Sequence, residues 1–419
     1  MNDNVTGQLL QLFPDSTSPD DLALVQRHAP RLRFDRDEPF LPLAAGFTIF
    51  RTSGESPSFR REITIDDGVA TVIEYAIWWD WDIQHLYELE HVWVHLDADE
   101  ALVAVEASAH GHLIPMVRDD GSLPVDADGR VNLYSEPGKH AFAPSDAWLR
   151  NRADQTRPAC NDRAGHGGVL VNDLFRAQIG PVSASEHRLV RRWLQHHRFE
   201  PAYVFSQVVD VRSVALVPWI ALKAWIPGRV HEWLEYLKQR PHVQAICLDC
   251  GDTLVDEETE IKDENQVVQR ADLIPGAADL VQELKRLGYL LALVADGPRG
   301  TFENVLRQHG LYDSFDAFAI SGDVGIAKPA PIMFHTALRA LFIPETRYSQ
   351  VVMVGNNLSR DIKGANALGL ISVWLDWSPH RAKIPADSSE IPQYTIKQPL
   401  DLLAALEQIE MTLLTGDNR

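Results

Sequence analysis

The sequence predicts an α/β protein in which a doubly wound parallel sheet follows an antiparallel, β-rich domain of sandwich type. After residue 241, continuous apolar runs alternate with helical patterns, whereas before it shorter runs alternate between apolar and polar residues. Continuous runs are typical of strands covered on both faces, and period-two runs of half-exposed strands. A length of 419 residues is enough for two hydrophobic cores. We therefore predict a β-rich domain over residues 1–240 and an α/β domain over 241–419.

Two hairpin patterns predict the β-rich domain. The stretches 61–79 and 91–108 each contain two period-two runs around an acidic or glycine-containing turn. Neighbouring hairpins of this kind favour an antiparallel sandwich. A helical pattern at 228–241 ends at Pro241, where we place the domain boundary.

Five apolar runs predict the parallel sheet of the second domain. They are "AICLD" (245–249), "YLLALVAD" (289–296), "AFAIS" (317–321), "VVMVG" (351–355) and "LISVWLD" (370–376). Helical patterns lie between them at 276–288, 300–311, 331–341 and 362–369. This alternation predicts right-handed crossovers. Ligands of such sheets bind outside the carboxyl ends of the strands, so we expect one crevice near the residues that end them: Asp249, Asp296, Gly355 and Asp376. A single strand-end Asp often caps a helix or closes a turn, so the prediction depends on the set.

Composition and charge exclude several classes of protein. The net charge is -20 and no long Lys/Arg run is present, which disfavours binding to nucleic acid or to an anionic membrane. The sequence has no apolar run of about 18 residues and no signal-peptide pattern at its start. With only three cysteines, a disulfide framework is not expected. These features together predict a cytoplasmic location.

Four ordered motifs in the second domain resemble those of the haloacid dehalogenase-like (HAD) hydrolase superfamily. They are "LDCGDTL", "LALVADG", "GIAKPAPIMF" and "VMVGNNLSRDIKGANALG", and the resemblance covers residues 243–410. It implies a hydrolase that cleaves a phosphorylated substrate through an aspartyl-phosphate, because a carboxylate nucleophile splits one difficult displacement into two easier ones. The implied catalytic residues are Asp249 as nucleophile, Lys328 as the cation beside the phosphoryl group, and Thr253 as support for the loop and the phosphate. The implied ligands of a Mg²⁺ ion are Asp249, the carbonyl of Gly251, Asp361 and Asn356.

The first motif departs from the family pattern at the general acid. That residue normally stands two positions after the nucleophile, where this chain has Gly251. Asp252 follows one step later, and we predict a catalytic role for it if the loop turns its carboxylate toward the site.

Two other motifs depart as well. Ala295 stands where the family has Ser or Thr, so we expect Asp296 and Gly297 to bind the phosphoryl oxygens through their backbone amides. Asn356 stands where the family has Asp, and the loss of a charge predicts weaker magnesium binding.

These departures leave two alternative functions open. One is a metal-independent displacement at carbon, as in the dehalogenases that name the superfamily, which would be insensitive to EDTA. The other is a HAD fold without catalysis, in which the β-rich domain carries a binding function.

The sequence also predicts an uncapped site. Residues 255–276 are long enough for a flap but not for a cap domain, and 297–327 holds only a helix, a strand and a helix. We hypothesise that residues 1–240 serve as a lid, because closing such a site would exclude water.

Histidines and acids gather between residues 78 and 140 of the β-rich domain. Carboxylates and imidazoles on neighbouring strands could bind a divalent metal, although hydrogen-bonded histidines are the common alternative. The stretches "APRLRFDRDEPFLPL", "LEHVWV", "SAHGH" and "YSEPGKHAF", within 28–145, more distantly resemble a β-sandwich family related to vacuolar-sorting-associated and necrosis-inducing proteins. That resemblance implies a second divalent metal held by Glu90, His91, His110 and His140.

Overall fold

The computed structural model describes residues 5–12 and 17–416 and divides the chain into two compact units. The first unit comprises Met1–Val182 and Leu189–Leu237. The second comprises Ser183–Arg188 and Lys238–Arg419. The boundary at residue 240 stays a prediction. Within the described residues, no helix combines the length and the hydropathy that a membrane span requires.

The first unit is rich in antiparallel strands. Its strands are β1 (Arg31–Phe34), β2 (Ala44–Phe50), β3 (Gly54–Glu55), β4 (Glu62–Ile63), β5 (Thr71–Trp81), β6 (His85–Leu96), β7 (Leu102–Ala109), β8 (His112–Pro115), β9 (Asn132–Ser135), β10 (Phe142–Ala143), β11 (Gly168–Val169), β12 (Gln207–Asp210) and β13 (Ala215–Pro218). The helices up to residue 239 are α1 (Val5–Gln11), α2 (Pro19–His28), α3 (Asp146–Arg150), α4 (Ala153–Cys160), α5 (Arg176–Ile179), α6 (Ala184–His196) and α7 (Trp219–Gln239). A large sheet has the order β13-β2-β5-β6-β7-β8 and is antiparallel from β2 to β8. A smaller sheet has the order β10-β9-β1-β12.

Side chains from both sheets share one hydrophobic core. Phe34 and Leu133 of the small sheet belong to the same buried cluster as Ile77 and Val94 of the large sheet. The opposite face of the large sheet packs through residues such as Trp78 against the buried sides of α6 and α7. Burial on both faces explains why β5 is apolar almost throughout. The prediction of an antiparallel, β-rich first region is confirmed.

The second unit contains a parallel sheet. Its strands are β14 (Ala245–Leu248), β15 (Ile261–Lys262), β16 (Val268–Arg270), β17 (Leu290–Ala295), β18 (Ala317–Ile320), β19 (Val351–Gly355), β20 (Ile371–Leu375) and β21 (Tyr394–Ile396). Its helices are α8 (Ala277–Arg286), α9 (Arg299–Gln308), α10 (Ser321–Val324), α11 (Pro331–Ala340), α12 (Lys363–Ala367) and α13 (Asp401–Thr415), with a π-helical turn at Leu358–Ile362. The sheet has the order β18-β17-β14-β19-β20-β21, and all its pairs are parallel.

Helices cover both faces of the parallel sheet. Ile246 and Leu248 of β14 pack in a cluster with α8, α9 and α13. Ala245 and Cys247, which point the other way, pack in a cluster with α11. The prediction of a doubly wound sheet is confirmed, and β14 lies at its centre.

Candidate active site

Residues that follow the carboxyl ends of three neighbouring strands line one cavity of the second unit. Asp249 follows β14, Asp296 follows β17 and Asn356 follows β19. The cavity has a volume of about 200 Å³, and its lining includes Asp249, Gly251, Asp296, Gly297, Lys328, Asn356 and Asp361. This is the edge at which parallel sheets bind ligands. Asp376, expected at the same crevice, is not among the described residues that line it, and its carboxylate pairs instead with Lys383 and Lys397.

One ammonium group joins two carboxylates at the centre of this site. Lys328 Nζ lies 2.7 Å from Asp249 Oδ1 and 2.6 Å from Asp361 Oδ1. It also donates to the carbonyl of Val294 at 2.8 Å. Asp249 keeps 9% of its surface exposed, whereas Asp361 is fully buried. The nucleophile and the lysine predicted from motifs 79 residues apart are therefore in direct contact.

Burial and neighbouring charge shift the pKa values of this cluster. Burial lowers the pKa of Lys328, but the carboxylates of Asp249 and Asp361 outweigh burial and raise it above its ordinary value. Burial and the charge of Asp249 raise the pKa of Asp361 to about 7, although Lys328 opposes the shift. Lys328 therefore stays cationic at neutral pH.

The predicted magnesium ligands lie around the same point. Asn356 Nδ2 donates to the Gly251 carbonyl at 2.6 Å, and Asp361 Oδ2 accepts from the Asn357 amide at 2.9 Å. Two carboxylates, a carbonyl and a carboxamide supply the oxygen donors that Mg²⁺ prefers, so the residues fit this ion. Asn356 would have to present its amide oxygen in place of the nitrogen that now faces Gly251.

The loop after Asp249 is a tight turn. The Cys250 carbonyl accepts from the amides of Thr253, Leu254 and Val255 at 3.2, 2.8 and 3.0 Å. The Thr253 hydroxyl is buried and has no hydrogen-bond partner among the residues that the structure describes. Among the described residues, Thr253 is not part of the cavity lining, so its role as support for a phosphate stays a prediction.

The carboxylate of Asp252 contacts two residues, Glu257 and Arg381. Asp252 has a φ of 49°, its Oδ1 accepts from the Glu257 amide at 3.3 Å, and its Oδ2 lies 3.3 Å from Arg381 Nε. Within the described part of the chain, Asp252 does not contribute to the lining of the cavity. Its catalytic role stays a prediction.

The residues that end the second motif bind the loop that contains Lys328. Asp296 Oδ1 accepts from the Lys328 amide at 2.9 Å, and the Gly297 amide donates to Ser321 Oγ at 2.9 Å. A phosphoryl oxygen would therefore compete with Ser321 for the amide of Gly297. Arg360, which lies 3.4 Å from Asp296 Oδ2, adds a cation to the lining.

Five charged residues of the lining were not predicted as site residues: Glu257, Glu260, Lys262, Arg360 and Arg381. Arg360 precedes Asp361 directly, so its position next to a motif acid was a usable signal. Glu257 and Arg381 are 124 residues apart, and nothing in their spacing indicates that they meet. The predicted flap segment also contributes, because Lys262 of β15 and Val268 of β16 line the cavity.

The four metal ligands predicted in the first unit each have a different partner. Glu90 accepts from the His110 amide at 3.1 Å and from Ser108 Oγ. His91 Nε2 lies 3.0 Å from Ser58 Oγ, and burial lowers its pKa to about 3. The remaining pairs are His110 Nε2 with Glu136 Oε2 at 2.9 Å, and His140 Nε2 with Glu38 Oε1 at 3.4 Å. The structure does not gather these four side chains into one ligand group.

A different group of the described residues offers converging ligand atoms. Asp82, His85 and Glu88 each place one such atom within 4.8 Å of the others. His85 Nδ1 lies 2.9 Å from the Tyr87 carbonyl, and His85 Nε2 lies 3.8 Å from Asp82 Oδ1 and 3.7 Å from Glu88 Oε2. His85 and Glu88 also line a wide cavity, of about 1060 Å³, in the first unit.

Comparison with known proteins concerns the second unit. The family model for haloacid dehalogenase-like hydrolases matches residues 228–369. A glyceraldehyde 3-phosphate phosphatase of Pyrococcus furiosus is 34% identical over 137 residues, which are 32% of this chain and 55% of that protein. A phosphoserine phosphatase of Thermus thermophilus is 35% identical over 129 residues, which are 30% of this chain and 49% of that protein. The chain thus spans about half the length of the curated relatives it matches.

A solved structure of a HAD phosphatase from Thermococcus onnurineus is 19% identical, with a TM-score of 0.33 over 39% of this chain and 97% of that one. Because this score is low, the assignment depends on the family model and the curated relatives. Over residues 228–369, this chain is similar to the haloacid dehalogenase-like hydrolase superfamily.

Proposed function

We propose that the second unit hydrolyses a small phosphate monoester through an aspartyl-phosphate formed on Asp249. The observation that carries this proposal is the contact of the Lys328 ammonium with Asp249 at 2.7 Å inside a cavity of about 200 Å³. A carboxylate beside a fixed cation can approach a phosphoryl dianion that it would otherwise repel. The volume suits a phosphate group with a small alcohol.

The proposed reaction has two steps. Asp249 attacks phosphorus, the ester P–O bond breaks, and the alcohol leaves with a proton. Water then attacks the phosphorus of the aspartyl-phosphate, which releases phosphate and restores the carboxylate. In both steps Lys328 stabilises the charge on the equatorial oxygens. The Thr253 hydroxyl and the amides of Asp296 and Gly297 are the proposed donors to these oxygens.

We further propose that the reaction requires Mg²⁺. Asp249, the Gly251 carbonyl, Asn356 and Asp361 would hold the ion, which would offset the phosphoryl charge when bound. Because Asn356 contributes no negative charge, we expect an affinity lower than that of a site with a third carboxylate.

The test is turnover of a panel of phosphate esters by the full chain and by Asp249→Asn. We expect the variant to lose at least about 10³-fold in kcat, since it lacks the nucleophile, and EDTA to abolish the activity of the parent. Equal, negligible turnover by both proteins would contradict the proposal and favour a binding protein. A haloacid is assayed beside the esters, and release of halide from it that is insensitive to EDTA would favour displacement at carbon.

A further inference from the structure

A glutamate occupies the space that the missing acid would fill. The first motif has Gly251 where the family has a side chain two positions after the nucleophile. A Cβ atom added at Gly251 would lie 2.0 Å from Glu257 Oε1 and 2.9 Å from its Cδ. A side chain at position 251 would therefore require the Glu257 carboxyl group, which is the end of a flexible side chain, to move. Both Glu257 and the nucleophile Asp249 line the cavity.

The local structure holds Glu257 in this place. It begins a short 3₁₀ turn, Glu257–Thr259, whose N-terminus is capped by Asp256. The Glu257 amide donates to Asp252 Oδ1 at 3.3 Å, and Arg381 binds Glu257 Oε2 while its Nε lies 3.3 Å from Asp252 Oδ2. One carboxyl oxygen of Glu257 is thus fixed by a guanidinium, and the other lies beside Gly251. Asp252, in this arrangement, positions the turn and its arginine.

We infer that Glu257 is the general acid and base of the site, in place of the residue that position 251 lacks. This inference rests on the proposed phosphatase function. In the first step the Glu257 carboxyl gives its proton to the ester oxygen as the P–O bond breaks and the Asp249–phosphorus bond forms. In the second step the Glu257 carboxylate takes a proton from the water that attacks phosphorus. Phosphate leaves, and Asp249 and protonated Glu257 are restored.

A purely structural role for Glu257, as the partner of Arg381, would have different consequences. Loss of an ion pair that shapes the loop lowers activity on all substrates alike. Loss of a general acid instead slows esters of poor leaving groups, because a nitrophenolate leaves without a proton and an alkoxide does not. The dependence of kcat/KM on the leaving group therefore separates the two roles.

The experiment compares Glu257→Gln with Glu258→Gln in the full chain with Mg²⁺. Glu258 is the matched control, since it is the adjacent acid and has its own basic partner, His380. For Glu257→Gln we expect kcat/KM to fall about 10²- to 10³-fold on glycerol phosphate and much less on p-nitrophenyl phosphate. On p-nitrophenyl phosphate we also expect phosphorylated protein to accumulate, because the variant lacks the base for the second step. Equal losses on both substrates, or no loss, would overturn the inference. Absence of Asp249-dependent turnover in the parent would instead overturn the proposed function.

A second variant tests the position itself. Gly251→Asp alone should be impaired because its side chain displaces the Glu257 carboxyl group, whereas Gly251→Asp with Glu257→Ala should recover activity on glycerol phosphate. Recovery would also show that the loop still folds without the Glu257–Arg381 pair. If the double variant folds, as judged by its thermal unfolding, but is no more active on glycerol phosphate than Glu257→Ala, the inference is wrong.

Discussion

At the scale of single residues, the positive charge of Lys328 offsets the negative charges of Asp249 and Asp361. Its side chain is almost fully buried and contacts Asp249, Asp361 and the Val294 carbonyl. Two carboxylates this close are stable in a low-dielectric interior only while a cation lies between them. The same ammonium that is proposed to bind the phosphoryl group therefore also stabilises the fold of the free protein.

Replacement of Lys328 by Met should consequently destabilise the second unit. The expected loss is about 3–5 kcal/mol in the free energy of unfolding, because the change leaves uncompensated buried charge. Urea denaturation of the full chain measures it. The double variant Lys328→Met/Asp361→Asn should regain part of the loss, and a single variant that unfolds like the parent would contradict the expected role.

The residues of this site differ in how far the sequence predicts them. Asp249 and Lys328 stand in motifs with a fixed order along the chain, so their meeting was expected. The place of Glu257 was not, because it depends on the absence of a side chain at Gly251 and on an arginine 124 residues away. A glutamate that occupies the place of a side chain elsewhere in the loop produces no pattern in the local sequence.

At the scale of elements, strand β6 and the turn before it bring three metal-ligating residues together in the first unit. His85 Nδ1 lies 2.9 Å from the Tyr87 carbonyl, so in the neutral ring Nδ1 carries the proton and donates to this oxygen. The lone pair available to a metal is then on Nε2. That lone pair faces Asp82 and Glu88 at 3.8 and 3.7 Å, distances too long for hydrogen bonds. We propose that a divalent cation binds between these groups in competition with the Lys139 ammonium, which lies 2.8 Å from Asp82 Oδ2.

Isothermal titration with Zn²⁺ tests this proposal. We expect His85→Ala to weaken binding about tenfold or more, measured in an Asp361→Asn background that removes a ligand of the second unit. His95→Ala is the matched control, because His95 lies on the same strand but pairs with Glu106 at 2.9 Å. Identical affinities for the two variants would exclude the site, and a loss confined to His110→Ala would favour the ligands predicted from sequence.

The elements of the parallel sheet were mostly predictable. Strands β14, β17, β18, β19 and β20 coincide with the five apolar runs. Strand β21 was missed because three residues at the edge of a sheet carry too little periodicity. The predicted helix at 362–369 is preceded by a π-helical turn, Leu358–Ile362, that contains Asp361. A Cβ added at Gly355 would lie 2.3 Å from Asp361 Cγ, so this glycine allows the acid to pack against the end of β19.

At the scale of the whole molecule, the chain joins a β-rich unit to an α/β unit that resembles haloacid dehalogenase-like hydrolases. The second unit also includes Ser183–Arg188, and Arg188 pairs with Glu410 and stacks over Tyr289 at 4.0 Å. We predict from the sequence that the site has a short flap and no cap domain, and such a site would suit coverage by another part of the protein. The lid role of residues 1–240 stays our hypothesis.

Deletion of residues 1–240 tests the lid. We expect kcat/KM on a small phosphate ester to fall, because a wetter site weakens the electrostatic stabilisation of the phosphoryl group. The fragment also lacks Arg188, so its free energy of unfolding is measured beside its kinetics, and Arg188→Ala in the full chain serves as the control for that loss. A folded fragment with the kinetics of the full chain would refute the hypothesis.

The alternation of five buried strands with helices in the second unit, the resemblance to the superfamily and the pairing of Asp249 with Lys328 followed from the sequence by itself. They are encoded in local periodicity and in motifs with a fixed order, which survive without coordinates. Only the tertiary structure showed that Glu257 occupies the space beside Gly251. It likewise showed that Asp82, His85 and Glu88 of the first unit converge, whereas the four ligands predicted there do not. The physical reason is that such contacts depend on which loops fold back toward each other, and sequence spacing does not record that distance.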